Sequence, residues 1–254
     1  MRKVGICLIF LCFTSVVTYG RDTTSTRKIG VSPEVLKKIG KAKDRLVLDF
    51  CFMNAVVKKD NGVTVPNDFK VSGFSRGINL YFMYDVILSK KVPYFSLAPG
   101  IGVGSENFYF KDYKLTWHYD SITRFVPLGD SISSKKSKLN MTYIDIPIEF
   151  RYRSKPSNKT GLSWKLAVGF KFGFLVGSKW KYKGEDPNKG TDGEQVSIKD
   201  IKVANMNKFR YGPYIRGGYG MFNLFAYYSL SNTFVANKGP KMNPIVFGLS
   251  INGL

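Results

Sequence analysis

The sequence predicts an all-β protein, a single eight-stranded antiparallel transmembrane β-barrel, from three observations. Apolar and polar residues alternate in eight separate runs, and the connections between those runs are alternately long and short. After residue 20, no stretch holds the ~18 apolar residues that a transmembrane helix needs. Aromatic residues make up 15% of the chain and glycine 25 of its 254 residues, which is typical of curved strands with ring-bearing outer faces.

The amino-terminal residues predict export. A basic start, RK, precedes a mostly apolar run that small or polar residues follow. This is the layout of a secretory signal peptide over residues 1–20, with cleavage expected after Gly20. Residues 21–43 are polar and basic and predict a flexible periplasmic lead-in segment, which leaves residues 44–254 for the barrel domain.

The alternating runs predict the strands. In residues 143–153, YIDIPIEFRYR, apolar Ile144 and Ile146 alternate with charged residues such as Asp145 and Glu149. Because successive side chains of a strand point to opposite faces, one face is apolar and the other is charged. A soluble sheet with one face in a core and a membrane barrel with one face in lipid both fit this pattern. The eight runs lie at residues 46–53, 78–86, 95–104, 143–153, 164–177, 209–219, 223–230 and 245–252.

The connections favour the membrane barrel over the soluble sheet. Outer-membrane barrels have short periplasmic turns and longer outside loops. With the amino end in the periplasm, every long connection of this chain falls outside, and the predicted location is the outer membrane. The long connections lie near residues 57–72, 111–140, 184–206 and 231–243, and the short ones near 89–93, 154–161 and 220–221.

The polar faces of the runs carry most of the strand charges. An eight-stranded barrel is narrow enough for side chains to fill its interior. We therefore expect these inward-facing charges to pair as a buried, structural ionic network in a filled lumen, with no catalytic role. The predicted members are Asp49, Asp85, Asp145, Glu149, Arg151, Lys165, Lys171, Arg210 and Arg216.

Three prolines interrupt the runs. Pro99, Pro147 and Pro213 lie inside predicted strands, where a closed sheet offers no free edge for a residue without an N–H donor. Bulges in the strand pairing are expected at these positions.

The charge of the chain predicts anionic partners. The formal net charge is +21, and without the two basic residues of the predicted signal peptide it is +19. Such a balance suits nucleic acid or anionic membrane surfaces. Because an exported protein rarely meets nucleic acid, we expect outer-membrane lipid and anionic glycolipid headgroups as partners. Protein partners at the outer loops or periplasmic turns are a further expectation.

Four segments carry a resemblance to a known family. FSLAPGIGVG, YIDIPIEFRYR, LAVGFKFGFLVGS and FRYGPYIRGGYGMFNLFAYYSL resemble segments of the outer-membrane β-barrel proteins of the Bacteroidota that are related to PorT. The resemblance covers roughly residues 45–254. It implies one eight-stranded barrel in the outer membrane, and PorT itself is tied to type IX protein secretion. The shared motifs mark the type of barrel and do not specify an activity.

Catalytic and metal-binding patterns are weak. The single histidine, His118, has Asp120 and Ser121 close in sequence, but adjacency in a loop does not make the fixed triad that nucleophilic catalysis needs. Asp145 and Glu149 share a strand face at about 13 Å, too far apart for a glycosidase pair. No cofactor, no metal and no enzymatic activity are expected.

Three hypotheses for function follow. The first is a structural or interaction protein at the cell surface with a filled lumen. The second is a PorT-like component of protein secretion that acts through its periplasmic turns and residues 21–43. The third is a lipid-modifying enzyme or a small porin.

Overall fold

Twelve β-strands account for most of the chain that the structure describes. The structure is a computed structural model. It describes residues 44–58, 63, 65–66, 69, 71–73, 75–89, 94–110, 112–117, 122–129, 132, 134–155, 157–158, 163–186 and 194–252. The predicted signal peptide and lead-in segment lie outside these residues. The strands are β1 (Asp44–Lys58), β2 (Arg76–Tyr84), β3 (Val86–Ile87), β4 (Phe95–Phe110), β5 (Tyr113–Thr116), β6 (Arg124–Pro127), β7 (Ser134–Arg153), β8 (Trp164–Glu185), β9 (Gln195–Ile201), β10 (Phe209–Tyr219), β11 (Phe222–Tyr228) and β12 (Lys241–Asn252).

Eight of these strands close into an antiparallel barrel. The order around the wall is β1, β2, β4, β7, β8, β10, β11 and β12. The last strand returns to the first, with β12 paired to β1 from Asn252 opposite Val47 to Lys241 opposite Lys58. The predicted fold class is therefore confirmed, and closure leaves these eight strands without a free edge.

The remaining four strands are additions to this wall. The short strand β3 continues the direction of β2 along β4. Strand β9 pairs with the last part of β8. Strands β5 and β6 form a separate hairpin in the connection from β4 to β7. Among the described residues, no helix is long and apolar enough to cross a membrane.

The two ends of the barrel differ in their connections. One end, the short-turn end, carries the connections β3–β4, β7–β8 and β10–β11. The turn between β10 and β11 is only Gly220 and Met221, and the φ of 62° at Gly220 is one that favours glycine. The other end, the long-loop end, carries the connections β1–β2, β4–β7, β8–β10 and β11–β12.

Apolar side chains face outward around the half of the barrel near the short-turn end. In β2, exposed Ile78, Leu80 and Phe82 alternate with buried Asn79 and Tyr81. A ring of half-exposed apolar side chains this wide is stable where lipid covers it. We call it the apolar belt; it includes Phe50, Phe52, Ile78, Leu80, Phe82, Ile144, Ile146, Ile148, Phe150, Leu166, Val168, Phe172, Phe174, Val176, Ile215, Leu224, Phe247 and Leu249.

The polarity of the two faces reverses towards the long-loop end. In β7, the inner face changes from buried Asp145 and Glu149 to buried Leu139 and Met141. The outer face changes from exposed Ile144 to the polar or charged residues that precede it. Outward apolar residues suit lipid and outward polar residues suit water, so the reversal marks where the strands leave the apolar belt.

The alternation of β8 shifts by one residue at the same level. The pairing with β7 passes from Tyr143 opposite Leu175 to Thr142 opposite Gly177, which leaves Val176 as an extra residue. Such a β-bulge moves the following side chains to the opposite faces. The regular alternation in the sequence therefore ends here, although β8 continues to Glu185.

The bulges predicted at the three prolines are wrong. The strand register does not shift at Pro99, Pro147 or Pro213, and the register shifts between β7 and β8 lie elsewhere. Pro99 instead faces the break between β2 and β3, where no pairing is made. Pro213 lies just beyond the β10–β11 ladder, which begins at Tyr214. On the side where no neighbouring strand is paired with the proline, its missing N–H leaves no hydrogen bond unmade, so no extra residue is needed.

Candidate functional site

The lumen near the short-turn end contains a group of paired charges, the lower cluster. Arg151 Nη1 donates to Asp85 Oδ1 at 2.5 Å, and Arg151 Nε donates to Glu149 Oε2 at 2.5 Å. Arg153 Nη2 donates to the second oxygen of Asp85 at 2.9 Å. The side chains of Arg151, Asp85 and Glu149 are at most 7% exposed. The guanidinium of Arg151 therefore links Glu149 of its own strand, β7, to Asp85, which lies between β2 and β3.

Arg216 of β10 extends the lower cluster to the opposite wall. Its Nη1 donates to Asp49 Oδ1 at 2.8 Å, and its Nε lies 3.3 Å from Glu149 Oε1. The same Glu149 oxygen accepts the hydroxyl of Tyr214 at 2.8 Å. Ser250 Oγ accepts a further hydrogen bond from Arg216. These charge-assisted bonds tie β1, β7, β10 and β12 together across the lumen.

A second group, the central cluster, lies closer to the long-loop end. Arg210 donates from Nε to Asp145 Oδ1 at 3.1 Å and from Nη2 to Asp145 Oδ2 at 2.7 Å, which is a bidentate pair. Its Nη1 donates to Glu106 Oε1. The guanidinium carbon also lies 3.8 Å from the centre of the Tyr143 ring. Arg210 thus meets two carboxylates and one aromatic face.

Glycines on β4 provide room for these side chains. A Cβ added at Gly104 would lie 2.6 Å from Asn79 Oδ1 and 3.0 Å from Arg210 Nη2. A Cβ at Gly102 would lie 2.1 Å from the carbonyl oxygen of Leu80. Close packing against the lumen therefore accounts for the glycines of the GIGVG sequence in β4.

Lys171 is buried beside the central cluster in a different way. Its Nζ lies 3.9 Å from the centre of the Tyr227 ring and 3.4 Å from the hydroxyl of Tyr81. That hydroxyl donates to Asp145 Oδ2 at 3.1 Å. In the part of the chain that the structure describes, Lys171 makes no ion pair with a carboxylate.

The nine residues expected in the lumen all face it. Seven of them make the ion pairs described above, Lys171 packs on aromatic rings, and Lys165 lines a small cavity beside the lower cluster. Sequence reasoning missed Glu106 and Arg153. Glu106 follows Gly102 and Gly104 on the same face of β4, so extending that alternation by two residues would have found it.

Buried apolar side chains fill the lumen at the long-loop end. This outer plug contains Phe108 and Leu139 from the wall and Leu115 and Phe125 from the β5–β6 hairpin. The ring of Phe69 packs 4.3 Å from that of Phe125. The plug also includes Phe110, Met141, Trp180, Tyr182, Val203, Met206, Phe234 and Met242. The described residues of these connections therefore fold inward and fill the lumen at the long-loop end.

The plug includes the ionisable side chain of Tyr182. Burial raises the pKa of Tyr182 above its usual value, and nearby Glu185 and Asp186 add to the effect. Its hydroxyl donates to the carbonyl oxygen of Glu185 at 2.8 Å. Tyr182 therefore stays neutral and acts as a hydrogen-bond donor at neutral pH.

Two small cavities lie beside the lower and central clusters. One beside Arg151, Lys165 and Arg216 measures about 20 Å³, and one beside Glu106 and Tyr227 measures about 10 Å³. A cavity of this size has room for about one water molecule.

Groups suited to chemistry are sparse among the described residues. No group of three or more His, Cys, Asp or Glu side chains there could hold a metal ion. Cys51 is buried, and its Sγ accepts a hydrogen bond from Asn79 Nδ2 at 3.1 Å. His118, Asp120 and Ser121 lie outside the described residues.

Comparison with known proteins identifies the family. A family model described as "Outer membrane protein beta-barrel domain" matches residues 52–235. The chain belongs to this family. No curated protein matches the sequence significantly. Among solved structures, the chain is similar to Ail, the attachment invasion locus protein of Yersinia pestis, at 11% identity, with 83% of this chain and 98% of that chain covered and a TM-score of 0.33. A likeness at this level does not bear on function.

Family membership explains the outward apolar belt. The protein is an outer-membrane β-barrel, and the belt is the surface that lipid covers. The rule that outer-membrane barrels have short periplasmic turns predicts that the short-turn end faces the periplasm and the long-loop end faces the cell exterior.

Proposed function

We propose that the protein is a non-conducting, non-enzymatic barrel that acts by presenting its long-loop end at the cell surface. The observation that carries this proposal is the filled lumen. The lower and central clusters occupy it on one side, and the outer plug occupies it on the other. Function is then left to the surfaces that lie outside the bilayer.

The lengths of β7 and β8 support an extension of the sheet outside the bilayer at the long-loop end. A tilted strand crosses a membrane in about 9–11 residues, but β7 has 20 residues and β8 has 22. Their excess length lies at the long-loop end, where β9 adds a further strand. The outer plug packs against the inner face of this extended sheet and holds it rigid.

Electrical recording tests the filled lumen. Purified protein is inserted into planar lipid bilayers, with a 16-stranded porin as the positive control. We expect no steady conductance, because ion pairs and apolar side chains block the path at separate levels. A stable open channel would show that the lumen conducts and would support the small-porin hypothesis.

Surface labelling tests the orientation. A cysteine replaces exposed Ser197 in β9, and a matched cysteine replaces exposed Asn158 in the β7–β8 connection. A membrane-impermeant maleimide should label S197C but not N158C on intact cells, and both after lysis. The opposite pattern would place the long loops in the periplasm and would end the cell-surface proposal.

A role in secretion is the second proposal. It is supported by the resemblance of FSLAPGIGVG in β4 and YIDIPIEFRYR in β7 to PorT-related proteins of the Bacteroidota. Both proposals include export of the protein by residues 1–20 as a signal peptide. Deletion of residues 21–43 alone should reduce the export of secreted proteins if the chain acts in secretion, while the barrel still assembles. Unchanged export would favour the cell-surface role.

A further inference from the structure

Six lysines share one outward surface of the extended sheet, just beyond the apolar belt. They project from three adjacent strands on the face opposite to the outer plug. We call this surface the lysine face; it consists of Lys136 and Lys138 of β7, Lys179, Lys181 and Lys183 of β8, and Lys199 of β9.

Strand register brings these charges side by side. Lys138 is directly opposite Lys181, and Lys181 is directly opposite Lys199. Adjacent strands lie about 4.8 Å apart, and alternate residues of one strand lie about 6.6 Å apart. Like charges directly opposite each other destabilise a sheet. A row of three lysines therefore destabilises the sheet unless a negative charge lies close to it.

The protein does not supply that counter-charge within the described residues. None of the six lysines makes an ion pair with a described carboxylate. Lys138 Nζ donates instead to Asn107 Oδ1 at 2.8 Å. The Nζ atoms of Lys136 and Lys138 lie 5.9 and 5.6 Å from the centre of the Tyr109 ring. These contacts orient the ammonium groups and leave their charge unneutralised.

The position of the lysine face points to the bilayer surface. Val176 is the last exposed apolar residue of β8, and Lys179 follows three residues later, about 10 Å along the strand. With a strand tilt of about 40°, this corresponds to roughly 8 Å above the apolar belt. Lys181 and Lys183 stand progressively further out. The lysines thus begin at the depth of lipid headgroups.

We propose that the lysine face binds the phosphate groups of the glycolipid in the outer leaflet. Lysine is a compact point charge that suits phosphate, and three adjacent strands present such charges at the depth of lipid headgroups. Phosphates bound between neighbouring lysines relieve the repulsion along the Lys138–Lys181–Lys199 row. The proposal rests on the orientation of the barrel in the outer membrane and does not depend on the filled lumen.

Two matched triple variants test the site. The face variant combines Lys138→Gln, Lys181→Gln and Lys199→Gln. The control variant combines Lys58→Gln, Lys155→Gln and Lys238→Gln, which are exposed lysines outside the face. Both remove three charges, and all six positions are on the surface, so both variants should fold and keep the heat-dependent gel mobility of a closed barrel.

The measurement is binding of bisphosphorylated lipid A to the detergent-solubilised full chain. A lysine near an anionic membrane surface contributes about fivefold to binding, so replacing three lysines should weaken binding by up to about a hundredfold. The control variant should bind within about twofold of the unmodified protein. Raising the salt from 50 to 200 mM should weaken binding to the unmodified protein and have less effect on the face variant.

Three results would overturn the proposal. Equal losses in both triple variants would show a response to net charge alone. Equal binding of a phosphate-free form of the glycolipid would show that phosphate is not recognised. Unchanged glycolipid binding by the face variant would leave an acidic protein or polysaccharide as the occupant of this surface.

Discussion

Arg210 and Asp145 form a bidentate ion pair across an intervening strand of the wall. Arg210 lies on β10 and Asp145 on β7, and β8 runs between them. In the register of the sheet, both residues are opposite Gly173 of β8. The absence of a side chain at Gly173 allows the two charged groups to meet directly above the backbone of β8.

Gly173→Ala should therefore weaken the barrel. The added Cβ would lie 2.3 Å from Asp145 Oδ1 and 2.7 Å from Arg210 Cγ, so the pair would have to separate. We expect a loss of about 1–3 kcal/mol in the free energy of unfolding, the range of overpacked cores. Urea unfolding in lipid vesicles, followed by tryptophan fluorescence, measures it. Gly177→Ala in the same strand is the control, since no atom lies within 4 Å of its added Cβ, and equal effects in both variants would contradict the explanation.

Arg210→Met should destabilise the barrel more strongly. It leaves Asp145 and Glu106 buried without their cation, and breaking a buried pair in this way costs about 3–5 kcal/mol. Neutralising both acids in the same chain, with Asp145→Asn and Glu106→Gln, should recover at least half of the loss. Urea unfolding in lipid vesicles, as for Gly173→Ala, measures the free energy of unfolding of both variants.

The matched control for Arg210→Met is Arg76→Met, on the exposed face of β2. We expect a change of about 0.5 kcal/mol or less for this exposed residue. If the triple variant were no more stable than Arg210→Met alone, the stranded carboxylates would not be the cause of the loss.

Lys171→Met should be tolerated much better than Arg210→Met. Lys171 contacts the Tyr227 ring and the Tyr81 hydroxyl and makes no ion pair with a described carboxylate. Methionine keeps the stem and removes a charge whose burial is itself costly, so we expect a loss of at most about 1–2 kcal/mol. Lys171→Glu should prevent assembly, because it places a third acid beside Asp145. A cost for Lys171→Met as large as that for Arg210→Met would mean that its charge holds the central cluster together.

Cys51 should be protected from thiol reagents in the folded barrel. It is 3% exposed, faces the lumen and accepts a hydrogen bond from Asn79. A maleimide of about 5 kDa should not label the folded protein and should label it fully after boiling in detergent. Cys51→Ser provides the control for labelling elsewhere. Rapid labelling before boiling would show that the lumen is open to solvent.

The regular alternation of residues allowed the wall to be predicted strand by strand. Residues 209–219 were assigned as one strand and form β10 with the same bounds. Prediction stopped where the alternation did. The bulge at Val176 shifted the pattern of β8, so the predicted run ended at Gly177 and missed the last eight residues of the strand. The strands β5, β6 and β9 were also missed. They are short and lie within long connections, outside the regular alternation of the wall.

The partners within the lumen were the least predictable part of the site. The sequence placed Asp145 and Arg210 on inner faces, but their separation of 65 residues gives no indication that they pair. Strand order and register bring them to one level, and Gly173 leaves the space between them. Glu106 joined the same cluster because β4 runs to Phe110, beyond the predicted run.

The sequence by itself determined the class of fold, because a closed sheet in lipid needs a period of two with apolar residues on one face and polar residues on the other. It also determined which charges face the lumen, since that depends only on the parity of positions along each strand. Only the tertiary structure decided which charges pair, how the prolines are accommodated and how the long-loop end is closed. Those outcomes depend on register between distant strands and on the shape of the space that the packed side chains must fill.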